Sequence, residues 1–154
     1  MKKSAGILVY RFHSGELEVF LVHPGGPFWK NKDDGAWSIP KGEYTDGEDP
    51  LEAAKREFEE ETGIACDGKF IMLDPIKQKG GKAVSAWALE KNIETKSIKS
   101  NLFSMEWPPK SGKMQEFPEV DKGDWFGLND ARLKINLSQA AFIDQLIAKL
   151  NSAK

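Results

Sequence analysis

The chain has 154 residues, of which 40% are hydrophobic and 30% charged, and its formal net charge is −2. This length predicts a single domain over residues 1–154, and the near-neutral charge excludes a surface built to bind duplex nucleic acid. No apolar run approaches the ~20 residues of a membrane span, no signal peptide is evident and a single cysteine excludes an intrachain disulfide, so we expect a cytoplasmic protein without a membrane partner.

The first segments of the chain are predicted to be strands separated by a turn. Residues 5–11 are apolar on both faces of a strand, which is typical of a central position in a sheet. Residues 17–23 form a second predicted strand after the turn at Ser14-Gly15, and the PGGP sequence at 24–27 ends regular structure. An irregular loop is then predicted to continue to residue 36.

A helix is predicted from Pro50 to Gly63. Asp49 can cap its N-terminus, and proline suits the first helical position because its missing N–H is not needed there. Gly63 supplies the left-handed residue that commonly ends a helix. Apolar residues at helical spacing mark the buried face of this helix: Leu51, Ala54 and Phe58.

Four glutamates crowd the last turns of this helix, where the helix dipole is itself negative: Glu57, Glu59, Glu60 and Glu61. Glu57, Glu60 and Glu61 lie three and four positions apart and therefore share one face. Arg56 alone cannot neutralise this charge, whereas a hard divalent cation such as Mg²⁺ or Mn²⁺ prefers carboxylate oxygen. The alternative is a solvated acidic face that binds nothing.

The remainder of the chain alternates strands and helices, with one long interruption. The predicted segments are strands at 69–79 and 82–90 joined by a two-residue turn at 80–81, an irregular stretch at 90–117, a strand at 124–128, a short helix capped by Asn129 and a longer helix capped by Ser138. This order predicts an α/β protein in which helices cover both faces of a mixed β-sheet, as an α/β/α sandwich.

The helix and the loop before it match a known motif. The pattern G-x5-E-x7-R-E-U-x-E-E-x-G-U, in which U is apolar, is filled by Gly42, Glu48, Arg56, Glu57, Phe58, Glu60, Glu61, Gly63 and Ile64. The one mild departure is Phe58, which is aromatic where an aliphatic residue is usual. Such a long match is specific, and through it the chain resembles the Nudix hydrolases, which cleave a nucleoside diphosphate linked to another group. The resemblance also implies the Nudix-type α/β/α sandwich.

The resemblance implies roles for the residues of the motif. The implied ligands of Mg²⁺ or Mn²⁺ are Glu57 and Glu61, Glu60 for a further ion, and the carbonyl oxygen of Gly42. Glu57 is also a candidate general base, and Arg56 would pair with Glu48 to hold the acidic face in place. A simple salt bridge between Arg56 and Glu60 is the alternative for the arginine.

Residues on either side of the motif extend the resemblance. Glu119 lies six residues before Trp125, a spacing similar to that of a metal-reaching glutamate in MutT-like members, with Glu116 as a rival. The W-S-I-P-K-G segment ending at Gly42 resembles the lead-in of dinucleoside polyphosphate hydrolases, in which the lysine contacts phosphate. In this sequence that lysine is Lys41.

Aromatic and basic residues in the irregular segments are candidates for substrate binding. Trp29 and Trp107 could stack on a base or anchor their loops, while Trp87 is predicted to lie in the core. His13 and His23 have no metal-ligand spacing and are given no role. Lysines beside the turns could extend a phosphate-binding track or simply be exposed: Lys79, Lys82, Lys110 and Lys113.

The leading hypothesis is a hydrolase that cleaves a phosphoanhydride bond by attack of a metal-activated water, with a dinucleoside polyphosphate as the first guess for the substrate. Hydrolysis of nucleoside triphosphates, including oxidised ones, and hydrolysis of nucleotide sugars are the enzymatic alternatives. A nucleotide-sensing module that has lost catalysis is the alternative of another class, disfavoured because the helix glutamates are all present. We expect substrate choice to depend on the loops at 24–36 and 91–118.

Overall fold

The computed structural model describes residues 2–152, apart from the side chain of Lys79. The strands within this range are β1 (Lys3–His13), β2 (Glu16–Pro24), β3 (Lys41–Tyr44), β4 (Ile71–Met72), β5 (Ile76–Lys77), β6 (Ala83–Glu90), β7 (Leu102–Glu106), β8 (Met114–Pro118) and β9 (Val120–Gly127). The α-helices are α1 (Pro50–Thr62), α2 (Leu128–Lys134) and α3 (Ala140–Ser152).

One mixed sheet organises the molecule, with β1 at its centre. Its strands run in the order β4-β6-β1-β2-β9, with β3 paired to β1 and β5 paired to β6. β1 is parallel to β6 and antiparallel to both β2 and β3. β7 and β8 form a separate antiparallel hairpin outside this sheet.

Side chains of β1 alternate between two hydrophobic cores, one on each face of the sheet. On one face Ile7 packs in a cluster with Phe58 of α1. On the other face Leu8 packs in a cluster with Phe142 and Leu146 of α3. The sheet therefore lies between α1 on one side and α2 with α3 on the other, which confirms the predicted α/β/α sandwich.

The ends of α1 are fixed by local hydrogen bonds, as the sequence predicts. The side chain of Asp49 accepts from the N–H of Glu52, and Pro50 occupies the first turn. Gly63 adopts a φ of 76° and donates its N–H to the carbonyl of Glu59. A residue with a Cβ is disfavoured in that left-handed conformation, so glycine is suited to end the helix here.

The prediction of one continuous strand over residues 69–79 is wrong, because this segment forms two short strands, β4 and β5. Pro75 has no N–H to donate to a ladder, and the N–H of Asp74 donates instead to the side chain of Gln145. The turn from β5 to β6 is also longer than the predicted two residues. It is closed by a bond from the N–H of Gln78 to the carbonyl of Lys82.

The irregular stretch predicted over residues 90–117 is wrong as well, since it contains most of the hairpin of β7 and β8. The predicted caps differ too: α2 begins after Gly127, and a 3-10 turn capped by Asn136 precedes α3. The strand predicted at 124–128 is the longer β9. The strands β7 and β8 have many exposed residues and therefore a weak apolar pattern, so their limits depend on their pairing with each other.

Two further predictions concern the burial of single residues and the presence of membrane-spanning helices. Cys66 and Trp87 are buried, as a packing role predicts. Across residues 2–152, none of the helices has the length and apolar character needed to cross a bilayer.

Phe58→Ala is expected to lower the free energy of unfolding by about 3–5 kcal/mol. The Phe58 ring is fully buried, and its centroid lies 6.2 Å from that of Phe20, so truncation leaves a cavity between α1 and the sheet. Phe12→Ala is the matched control because Phe12 is 54% exposed, and it should cost less than about 1 kcal/mol. Urea unfolding measures both values. Equal costs would show that Phe58 does not anchor the helix.

Candidate active site

The close contact between α1 and β3 creates the centre of the site. Phe58 holds one face of α1 in the core, which directs the preceding residue, Glu57, toward β3. Glu57 is buried, and its carboxylate occupies the space that a Cβ at Gly42 would need. Glycine at this position therefore allows the carboxylate to approach the backbone of β3.

One guanidinium faces three carboxylates at the surface of α1. Arg56 donates from Nη1 to Glu57 at 2.8 Å and to Glu60 at 3.2 Å. Its Nη2 donates to Glu48 at 3.2 Å. The Arg56–Glu48 pair and the Arg56–Glu60 salt bridge thus coexist, and a single positive charge is shared among three negative ones.

Glu61 lies in a cavity of about 180 Å³ that Lys41 and Glu119 also line. Burial, followed by the negative charge of Glu57, raises the pKa of Glu61 to about 8. Burial also lowers the pKa of Lys41, although the nearby Glu61 opposes that effect. A half-buried lysine and a half-buried glutamate therefore line the same small cavity.

Backbone hydrogen bonds place Glu119 at this cavity, between β8 and β9. Its N–H donates to the carbonyl of Asn101, and its own carbonyl accepts from the N–H of Gly25, both at 2.9 Å. Burial, followed by the charge of Glu60, raises the pKa of Glu119. The rival Glu116 lies on β8 opposite Ser104, where it is exposed.

The carboxylates fit a hard divalent cation. Burial, and then repulsion from Glu60, also raises the pKa of Glu57, so a positive charge placed among these groups would relieve repulsion in the ionised state. Among the described residues, no three acidic, histidine or cysteine side chains already converge closely enough to enclose an ion. The oxygen donors that could hold one are Glu57, Glu60, Glu61, Glu119 and the carbonyl of Gly42.

A second cavity, of about 350 Å³, adjoins the first and shares Pro24 and Glu119 with it. Its walls are largely apolar and come from the loop after β2 and from β7, namely Gly25, Gly26, Phe28, Trp29, Phe103 and Met105. A Cβ at Gly26 would lie 3.0 Å from the ring of Phe103, so glycine lets the loop pack closely against the hairpin. This arrangement places an aromatic surface beside the acidic cluster.

The structure does not bring every predicted binding residue to these cavities. Trp107 lies at the tip of the hairpin, where its N–H donates to the carbonyl of Lys113, and neither it nor Lys110 is among the lining residues described. Lys82 is exposed but close enough to Lys41 to contribute to lowering its pKa. The side chain of Lys79 lies outside the described part of the chain.

Sequence reasoning missed two lining residues, Phe103 and Met105. They stand two apart on one face of β7, so their alternation was the available signal. The Trp107-Pro108-Pro109 and Ser111-Gly112 sequences predict an irregular segment instead, whereas Phe103 and Met105 lie on a strand.

A family model described as NUDIX domain matches residues 1–146. The chain belongs to the Nudix family. A curated relative is the asymmetrical bis(5'-nucleosyl)-tetraphosphatase of Caenorhabditis elegans, 37% identical over 72 residues, which are 47% of this chain and 48% of that protein. Nudix hydrolase 25 of Arabidopsis thaliana is 60% identical over 30 residues, or 20% of this chain and 17% of that protein. The matches therefore span about half or less of these relatives.

Solved Nudix structures share the fold over nearly the whole chain. A binary complex of the C. elegans Ap4A hydrolase has a TM-score of 0.65 at 24% identity and covers 99% of both chains. The NUDIX domain of Shewanella oneidensis NrtR complexed with ADP ribose has a TM-score of 0.66 at 15% identity, covering 96% of this chain and 87% of that one. These likenesses confirm the predicted fold.

Without a divalent cation, the unfolding temperature is expected to fall as the pH rises from about 4.5 to about 8. The pKa of Glu61 is raised from 4.5 to about 8 in the folded chain, so the folded state holds a proton that the unfolded state has released. The stability from that proton is complete below about pH 4.5 and is lost as the pH passes about 8. MgCl₂ should therefore raise the unfolding temperature more at about pH 8 than at about pH 5, as thermal melts would measure.

Two variants make this pH test specific. Glu61→Gln should flatten the pH dependence and weaken the response to MgCl₂, because it removes the titrating carboxylate. Glu59→Gln is the matched control, since Glu59 is exposed on α1, and it should leave both responses unchanged. Equal responses of the two variants would contradict the assignment of Glu61 to the cation site.

Proposed function

We propose that this Nudix protein is a metal-dependent hydrolase that cleaves a phosphoanhydride bond of a nucleotide polyphosphate. The observation that carries the proposal is the group of one buried carboxylate, Glu57, and two half-buried ones, Glu61 and Glu119, gathered beside a cavity that Lys41 also lines. A hydrolase of this kind needs negative oxygen donors for a cation and a positive group for phosphate. Both are present in one place.

Each residue of the cluster has a distinct part in the proposed reaction. When bound, a Mg²⁺ or Mn²⁺ ion supplies charge neutralisation for the phosphates and acidifies the attacking water. Glu57 is the candidate to take the proton of that water at its carboxylate, because its burial raises its pKa. Arg56 holds the carboxylates of Glu57 and Glu60 in position through hydrogen bonds of 2.8 Å and 3.2 Å.

We infer that the preferred substrate is a dinucleoside polyphosphate. Lys41, in its W-S-I-P-K-G segment, faces the cavity of Glu61 and could contact a phosphate there. The neighbouring cavity of Phe28, Trp29 and Phe103 offers an aromatic surface on which a base could stack. The tetraphosphatase name of the C. elegans relative supports the same choice.

A nucleotide-sensing module is the second candidate function. It is supported by the likeness to a NrtR domain whose structure contains ADP ribose. The complete set of carboxylates on α1 favours hydrolysis instead, because a protein that only senses a nucleotide does not need three of them beside a cation site.

Glu57→Gln and Glu61→Gln should each leave a folded protein whose hydrolysis rate is reduced by at least ~10²-fold, since each change removes charge from the cation site. Glu59→Gln should retain the wild-type rate. Release of phosphate and nucleotide products, measured with limiting MgCl₂, tests all three. Wild-type turnover by either of the first two variants would show that the site has been assigned wrongly.

Diadenosine tetraphosphate should have a higher kcat/KM than ATP, dGTP or ADP-ribose, because its longer phosphate chain and two bases can use Lys41 and the aromatic cavity together. Lys41→Ala should lower kcat/KM most for the tetraphosphate, by about 10- to 100-fold, through loss of a charge-assisted contact. Lys149→Ala, at an exposed position of α3, is the control. Preference for a triphosphate or a nucleotide sugar would replace the substrate proposed here.

A further inference from the structure

His23 is buried at the end of β2, directly before the turn that leads into the aromatic cavity. Its side chain is 2% exposed, and its ring packs edge-to-face on Trp37 with centroids 5.2 Å apart. Nδ1 lies 2.9 Å from Oδ1 of Asp121, and Nε2 lies 2.6 Å from the carbonyl oxygen of Lys32. Both ring nitrogens are therefore engaged by the protein itself.

The chemistry of its carbonyl partner fixes the role of Nε2. A carbonyl oxygen can only accept, so Nε2 of His23 carries a hydrogen and donates it to Lys32. The partner of Nδ1 is a carboxylate oxygen at 2.9 Å, so a hydrogen lies between the two atoms, carried either by Nδ1 or by the carboxyl group of Asp121, and the contact orients the ring from the other side. Asp121 reaches the ring because β9 contains an irregularity here: His23 pairs with Lys122 and Pro24 with Val120, leaving Asp121 as the extra residue.

Lys32 is the last residue of a short folded segment that contains Phe28 and Trp29. The N–H of Lys32 donates to the carbonyl of Trp29, and the N–H of Trp29 donates to the carbonyl of Gly26. The ammonium group of Lys32 lies 4.1 Å from the centre of the Phe28 ring and 5.2 Å from that of Trp29. Fixing Lys32 thus fixes the segment that presents Phe28 and Trp29 to the cavity.

The two halves of the loop are held by different contacts. Gly35 donates to the carbonyl of Leu133, and Asp33 accepts from Trp37, so the second half is attached to α2 and to the lead-in of β3. The first half contains Phe28, which is exposed, and in the described hydrogen bonds its buried side-chain anchor is His23. The backbone of this half is also held at Gly25, whose N–H donates to the carbonyl of Glu119, so the aromatic segment lies between that bond and the His23 anchor.

We propose that His23 is a positioning residue that sets the affinity for the substrate's base. It acts through the carbonyl of Lys32, which holds Phe28 and Trp29 at the wall of the cavity. This inference rests on the proposed function, in that a nucleotide base occupies the aromatic cavity. His23 takes no part in the chemistry at the carboxylates, so it affects KM and leaves kcat unchanged.

Two conservative variants separate the two hydrogen bonds of His23. The side-chain amide of His23→Gln reaches as far as Nε2 and can still donate to Lys32, whereas that of His23→Asn reaches only as far as Nδ1. His23→Asn should raise the KM for diadenosine tetraphosphate about tenfold with kcat changed less than about twofold, and His23→Gln should restore a near wild-type KM. Trp29→Ala provides the reference for loss of the aromatic wall.

Hydrogen–deuterium exchange gives a readout that needs no substrate. Peptides covering residues 26–32 should exchange faster in His23→Asn than in His23→Gln or the wild type, while peptides of α1 remain unchanged. Equal exchange and equal KM in the two variants would overturn the inference. Absence of nucleotide turnover in the wild type would instead overturn the proposed function, and the exchange comparison would still decide the role of His23.

A measurement on the wild-type protein covers the case in which His23→Asn fails to fold. Long-range ¹H–¹⁵N spectra of the histidine rings report which nitrogens carry hydrogen. A protonated Nε2 in His23 that stays protected from exchange supports the bond to Lys32, and an Nε2 without hydrogen overturns it.

Discussion

The packing of α1 against β3 is the constraint on which the rest of the site depends. The carboxylate of Glu57 occupies the space beside Gly42, so a side chain at that glycine would push the helix away from the sheet. Phe58, on the adjoining face of the helix, packs in the core. Because consecutive residues of a helix point in different directions, one residue anchors α1 and its neighbour brings a charge to β3. Two neighbouring residues of α1 thus contribute differently: Phe58 stabilises the fold, and Glu57 supplies a carboxylate to the candidate site.

Electrostatic repulsion is concentrated at the contact between α1 and β3. Glu57 is buried and Glu61 is half-buried, the charge of Glu57 acts on Glu61, and one arginine pairs with three carboxylates. Burying charges without a full set of partners is unfavourable for folding. Such an arrangement is typical of functional sites, where stability is given up so that a ligand can supply the missing charge.

The parts that could be predicted from sequence are those whose signals are local. The caps of α1, its apolar face and the spacing of Glu57, Glu60 and Glu61 lie within a short stretch, and the fold followed from the resulting family resemblance. The aromatic cavity could not be predicted, because Trp29 and Phe103 meet only through the docking of a hairpin that has no strong strand pattern. His23 gave no signal either, since its partners lie in separate segments of the chain.

The hairpin of β7 and β8 is closed at its base, where Asn101 donates to the carbonyl of Glu60 in α1 and accepts from the N–H of Glu119. These two hydrogen bonds hold the base of the hairpin in place without any contribution from its tip. Residues between Glu106 and Met114 can therefore be lengthened, shortened or exchanged without moving Glu119. The hairpin tip can thus vary in length and sequence while the carboxylates keep their positions.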